Sequence, residues 1–257
     1  MEMFICAQAA ITENRKIAEG VFSLLVRAEE IASSVRPGQF VSVACGFPGA
    51  LLRRPISVCG ADGRFIRLVY ETRGKGTQWL SQQAEGCELD IGGPQGNGFA
   101  IPDAGRVLLV GGGLGSAPLL FAAKELSNRA DAVLGFRGAE QIVLLDEFRD
   151  NCGKVVLATD DGSAGLKGTV AQPLEAALTE GGYSTVLACG PRPMLKAVAR
   201  MCLAAGVKCQ VSLEERMACG MGACLVCVCE TKCSDGTHAM SRVCRDGPVF
   251  DSSEVVW

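Results

Sequence analysis

The sequence predicts an antiparallel β-barrel, then a doubly wound α/β unit, then a small tail that needs a metal centre to stand. Three observations carry this prediction. Short apolar runs separated by turn residues fill the chain to about residue 100. After Pro102-Asp103 strand-like and helix-like runs alternate, the mark of a parallel sheet. From Glu214 onward cysteine and glycine dominate. The expected segments are 1–101, 102–213 and 214–257.

In the first segment, strands are expected over 21–26, 39–44, 56–59 and 65–69, with turns at Arg36-Pro37-Gly38 and Gly60-Ala61-Asp62-Gly63. A helix is expected over 77–83. In the second, strand 106–110 leads through a glycine loop into a helix over 117–126. Further strands are expected over 132–136, 155–158, 185–188 and 207–213, with helices over 170–178 and 193–205. The third segment reads as irregular.

Composition narrows the class. A chain of 257 residues with 48% hydrophobic and 21% charged residues is an ordinary globular composition. The net charge of −3 gives no electrostatic reason to expect nucleic acid. No apolar stretch reaches the length of a membrane span, and residues 1–25 lack the pattern of a signal peptide. The chain is therefore expected to be cytoplasmic. Its 14 cysteines do not suit a disulfide framework at this size. Cys6, Cys45, Cys59, Cys87, Cys152, Cys189, Cys202 and Cys209 are scattered, and most read as buried free thiols.

Only the tail has ligand-like spacing. Cys219, Cys224 and Cys227 form C-x4-C-x2-C, with Cys244 beyond them, the plant-type pattern of a [2Fe–2S] cluster. Gly220 and Gly222 let the loop fold with backbone N–H groups aimed at negative charge. Cys233 competes with Cys244 for the fourth place, and Cys229 can exchange with Cys227. A zinc site would be built from paired C-x2-C elements, of which Cys224/Cys227 is the one example.

Two strand-to-helix junctions suit a dinucleotide. Gly111, Gly112, Gly113 and Gly115 precede a helix whose free N–H groups can take a pyrophosphate, although Ser116 replaces the third glycine of the usual pattern. The alternative is a tight turn packed on a neighbouring strand. Cys189-Gly190-Pro191 opens the next such helix, and it reads equally as an ordinary turn. In the barrel segment, Arg54-Pro55-Ile56-Ser57 places an arginine and a hydroxyl on one strand. Gly74-Lys75-Gly76-Thr77 stands before a helix, and Gly92–Phe99 closes the barrel.

In this order the motifs resemble the ferredoxin-NADP reductase superfamily. The run Leu213–Cys227 resembles the electron-transfer subunits of the two-subunit, NAD-dependent dihydroorotate dehydrogenases. The resemblance covers essentially the whole chain. It implies that Arg54, Pro55, Ile56 and Ser57 contact FAD, with Val69, Tyr70 and Glu71 on the next strand, and that Gly76 and Thr77 hold its phosphates. Glu71 departs from the pattern, where a basic residue is more usual. Cys219, Cys224, Cys227 and Cys244 are implied as cluster ligands, and NAD as the nucleotide. The implied partner is an FMN-containing dihydroorotate dehydrogenase catalytic subunit, in a heterotetramer with two of each chain, serving pyrimidine biosynthesis.

A nicotinamide gives two electrons together, a [2Fe–2S] cluster takes one at a time, and FAD converts between them. Hydride transfer needs no general base, and no catalytic side chain is expected. The alternatives are a related subunit serving a hydrogenase, sulfite reductase or ferredoxin:NADP oxidoreductase; a stand-alone reductase passing electrons to a soluble acceptor; and a zinc-stabilised binding module. His238 is expected solvated in a polar turn and Trp79 packed on the barrel. Asp160-Asp161-Gly162 reads as a turn or a nucleotide contact. Met217 and Met221 are expected to keep water from the cluster, and Arg137 stands where it would suit a 2′-phosphate.

Overall fold

The computed structural model describes residues 5–233 and 235–257. The first four residues of the expected barrel segment and Ser234 lie outside the described residues. The barrel strands are β1 (Ile5–Ala18), β2 (Val21–Arg27), β3 (Phe40–Val43), β4 (Arg54–Ala61), β5 (Phe65–Glu71) and β6 (Glu88–Gln95). They close in the order β1-β2-β5-β4-β3-β6, with β6 antiparallel to β1. Alternation sets which side chains fill the interior. Ile56 and Val58 on β4 meet Ile66, Leu68 and Tyr70 on β5 and Ile91 on β6 there.

Two short helices interrupt the barrel, α1 (Glu29–Ala32) and α2 (Lys75–Ser81). α2 begins two residues before the expected start. Thr77 Oγ1 accepts the Arg73 and Gly74 N–H groups at 2.9 and 3.3 Å, which satisfies donors that precede the first turn. Trp79 packs against the barrel core as expected.

The α/β unit contains β7 (Arg106–Gly112), α3 (Ser116–Leu126), β8 (Ala130–Phe136), α4 (Leu145–Asn151), β9 (Val155–Thr159), β10 (Leu166–Lys167), α5 (Ala171–Glu180), β11 (Tyr183–Cys189), α6 (Arg192–Ala205) and β12 (Lys208–Ser212). The tail adds β13 (Val228–Lys232), β14 (His238–Arg242) and β15 (Val249–Asp251). The sheet order is β10-β9-β8-β7-β11-β12-β15. All pairs are parallel except β12–β15. The chain leaves β7 toward β8 and later returns to its other side as β11. That reversal opens a crevice at the carboxyl ends of β7 and β11, where open α/β sheets take their ligands.

The tail is not irregular throughout. β13 and β14 form a hairpin, and β15 extends the neighbouring sheet, with Phe250 opposite Val211. The barrel docks on α3: Cys59 and Val69 share a core with Leu119, Leu120 and Ala123. No described helix is long and apolar enough to cross a membrane.

Candidate redox site

The cluster loop brings the expected thiols together as two couples. Cys219 and Cys224 face each other, and the Cys227 and Cys244 thiols interact directly. Backbone donors surround them: Gly222 N–H points at Cys244 Sγ (3.1 Å), Cys224 N–H at Cys219 Sγ (3.4 Å) and Cys244 N–H at Cys227 Sγ (3.4 Å). Burial opposes ionisation of Cys219, yet the Cys224, Met221 and Ala223 N–H groups and the Cys224 thiol bring it down to about 6. Burial and the neighbouring Cys227 push the Cys244 thiol up to about 12.

Backbone conformation produces this array. Gly220 and Gly222 adopt φ of +71° and +84°, and Leu225 is held at +60°, a region that side chains rarely adopt. A Cβ at Gly222 would lie 2.7 Å from Arg245 Cδ. Among the described residues no three His, Cys, Asp or Glu side chains converge as a cage for one metal ion. Two couples suit a two-iron centre, in which each iron takes two protein sulfurs, better than a single tetrahedral ion. The donor set and its N–H groups therefore fit a [2Fe–2S] centre.

The competing cysteines are placed elsewhere. Cys229 is buried within β13, opposite Ser241. Cys233 is exposed at the far end of the hairpin, where its N–H donates to Thr237 O. Five residue steps of extended chain carry it about 16 Å from Val228. Met217 packs into the core beside the cluster loop, but Met221 is 59% exposed, so the expectation that both exclude water is corrected. Met221 sits in a glycine turn whose backbone faces the thiols, which turns its side chain outward. His238 begins β14 rather than lying in a turn, and its Nδ1 meets Glu230 Oε1 at 2.6 Å.

At the sheet crevice the two expected junctions touch. A Cβ at Gly115 would lie 2.5 Å from Cys189 O, and one at Gly112 would lie 2.5 Å from Met194 Sδ and 2.9 Å from Pro191 Cδ. Gly111 pairs with Cys189 across the β7–β11 ladder, and Gly113 lies in the left-handed region at φ +54° with open space around it. Ser116 Oγ is buried there without a hydrogen-bond partner, an orphaned polar atom at the start of α3. A cleft of about 290 Å³ continues past Gly190, Pro191 and Arg192 to Glu214 and Arg216. Burial pushes the half-buried Cys189 thiol up to about 12, which disfavours its thiolate form. Farther along the same edge, Arg137 is exposed, and a Cβ at Gly138 would lie 2.8 Å from both Asp161 Oδ2 and Glu140 Oε2.

On the barrel, Arg54 lies against the Gly74–Thr77 turn so closely that a Cβ at Gly76 would run into its Nε. That glycine cradle and the arginine beside it fit a diphosphate at the start of α2. Thr77 spends its proton on Gly74 O, at 3.2 Å. Pro55 and Ser57 alternate away from the interior, whereas Ile56 and Tyr70 point into it, leaving those two only their backbone for a ligand. Val69 packs toward α3, and Glu71 pairs with Arg73 at 2.6 Å. That ion pair was not legible in the barrel pattern, because Arg73 lies in the turn beyond the end of β5.

Comparison with known proteins adds the following. The model of the iron–sulfur cluster binding domain of dihydroorotate dehydrogenase B matches residues 214–256. The dihydroorotate dehydrogenase B (NAD(+)) electron transfer subunit of Caldanaerobacter subterraneus subsp. tengcongensis is 42% identical, covering 97% of this chain and 98% of that protein. The subunit of the same name from Clostridium perfringens is 43% identical, covering 99% and 98%. Among solved structures, a chain of an NADH-dependent reduced ferredoxin-NADP oxidoreductase is 34% identical with a TM-score of 0.86, covering 98% of this chain and 90% of that one. A ferredoxin reductase in carbazole 1,9a-dioxygenase is 25% identical with a TM-score of 0.68, covering 79% and 67%.

Proposed function

Because the chain belongs to the family of dihydroorotate dehydrogenase B (NAD(+)) electron transfer subunits, we propose that it carries electrons between a dihydroorotate-oxidising partner subunit and NAD+. The partner would hold FMN, two copies of each chain would assemble, and the pathway served would be cytoplasmic pyrimidine biosynthesis. When bound, FAD, NAD and the [2Fe–2S] centre supply the redox chemistry, electron pairs at one end and single electrons at the other.

The chain's own residues bind, orient and shield. Arg54, Gly76 and Thr77 hold the flavin diphosphate at the start of α2. Pro55, Ser57 and Glu71 line the flavin, with Ile56, Val69 and Tyr70 contributing backbone. Gly111, Gly112, Gly113 and Gly115 let the nucleotide backbone approach α3, while Cys189, Gly190 and Pro191 shape the facing wall. Cys219, Cys224, Cys227 and Cys244 hold the cluster. The work divides as barrel for FAD, α/β unit for NAD and tail for the cluster. No side chain acts as acid or base. The observation that carries this reading is the pair of thiol couples with N–H groups already aimed at their sulfurs.

A second reading, a subunit of a ferredoxin-NADP oxidoreductase, is favoured by the solved structure of that description. Co-purification from native cells with flavin and metal analysis separates the two. An FMN-containing dihydroorotate-oxidising subunit is expected with the chain. The purified chain alone is expected to oxidise NADH with artificial acceptors and to give no dihydroorotate-dependent reduction of NAD+. Such reduction by the chain alone would sink the proposal.

A further inference from the structure

Gln95, the last residue of β6, is only 5% exposed, yet its Oε1 has no hydrogen-bond partner. Its other end is held: Nε2 donates to Ser42 Oγ at 3.0 Å, and the Ser42 hydroxyl donates to Gly92 O at 3.3 Å. The unpaired end faces the cluster loop. A Cβ at Gly220 would lie 3.1 Å from Oε1 and 3.7 Å from Nε2, so no side chain stands between the carboxamide and the backbone following Cys219. The next residues of the barrel grip the other half of the cradle. Asn97 N–H donates to Gly247 O at 2.6 Å and its Nδ2 to Asp246 O at 2.9 Å. One barrel strand and its extension thus touch the loops of both the first and the fourth cysteine.

A buried carbonyl oxygen without a donor is disfavoured, and more so beside thiolates. A half-turn of the carboxamide about its terminal bond removes both problems. Oε1 then accepts the Ser42 hydroxyl, whose present bond to Gly92 is long, and the amide N–H2 faces the Cys219 side of the loop. We propose that Gln95 is the residue through which the barrel tunes the iron–sulfur centre, donating an amide N–H toward sulfur on the Cys219 side and holding its reduction potential up. This rests on the assignment of the four cysteines to that centre. A hydrogen bond to cluster sulfur favours the more negative, reduced state, and its loss lowers the potential.

The test uses the full chain carrying FAD and cluster. Iron and sulfide analysis of the wild type comes first; a wild type without them defeats the cluster assignment itself, independently of Gln95. Redox titration followed by electron paramagnetic resonance then compares wild type with Gln95→Leu, Gln95→Met and Gln95→Glu. The cluster midpoint is expected to move negative in the Leu and Met variants and further in the Glu variant, with the flavin midpoint unchanged. A midpoint that stays put or moves positive in the Leu or Met variant overturns the proposal. Loss of the cluster from both, with FAD retained, also overturns it, because a tuning contact is not required for assembly.

Discussion

Cys244 is 2% exposed and receives the Gly222 N–H, whereas Cys233 stands in the open at the hairpin's far end. We predict that Cys244→Ser abolishes the cluster's visible absorption and iron content, while Cys233→Ser leaves both within about a tenth of wild type. Equal iron in the two variants would overturn Cys244 as the fourth ligand. The convergence of Cys219, Cys224 and Cys227 was legible from local spacing because one short loop holds all three. Which further cysteine lies against them was not, since it depends on how β13 and β14 pair. The same limit explains Ile56 and Tyr70. Their motif is visible in sequence, but which alternate residues turn into the barrel depends on the neighbouring strands.

β15 shows how three residues can join two segments. Phe250 is 6% exposed between Val211 and the tail's own core, and the ladder to β12 holds the segment that follows Cys244. Phe250→Ala is expected to cost about 3–4 kcal/mol, read by urea unfolding, and to lower cluster content in the same preparation. Retention of full stability would mean that the tail does not depend on the sheet. Sequence reading missed β15 because three residues carry no periodicity. It missed β1 because that long strand divides its pairing between β2 and β6 and buries few of its side chains. α4 went unseen for a related reason: of its seven residues Phe148 alone is buried. The glycine-loop strand and helix, by contrast, were legible because nearly every position of α3 is apolar and buried.

Barrel and α/β unit are joined by a polar clamp beside α3. Arg67 on β5 donates to Ser23 Oγ at 2.9 Å and to Glu147 Oε2 on α4 at 2.6 Å, with Lys124 Nζ 3.5 Å from the same carboxylate. Burial opposes the charged form of Glu147, but the Arg67 hydrogen bond, its charge and that of Lys124 hold it below its ordinary 4.5. A carboxylate depressed in the folded state stabilises above its unfolded value and loses that contribution as pH falls through the folded one. Glu147→Gln is therefore expected to cost about 1–2 kcal/mol at pH 7, a charged hydrogen bond discounted for partial exposure. The variant should also lose less stability than wild type below about pH 4.5, as measured by urea unfolding at several pH values. Parallel acid profiles would remove the clamp from the account. The order of barrel, α/β unit and cluster tail, the glycine junctions and three of the four thiols follow from local patterns, because short loops and short-period alternation are written in neighbouring residues. The N–H donor at the Cys244 thiol, the hold of Asn97 on the Asp246–Gly247 turn, and the clamp at Glu147 are contacts between residues 22 to 149 positions apart. Only the packing of barrel, sheet and tail against one another brings such residues within bonding distance.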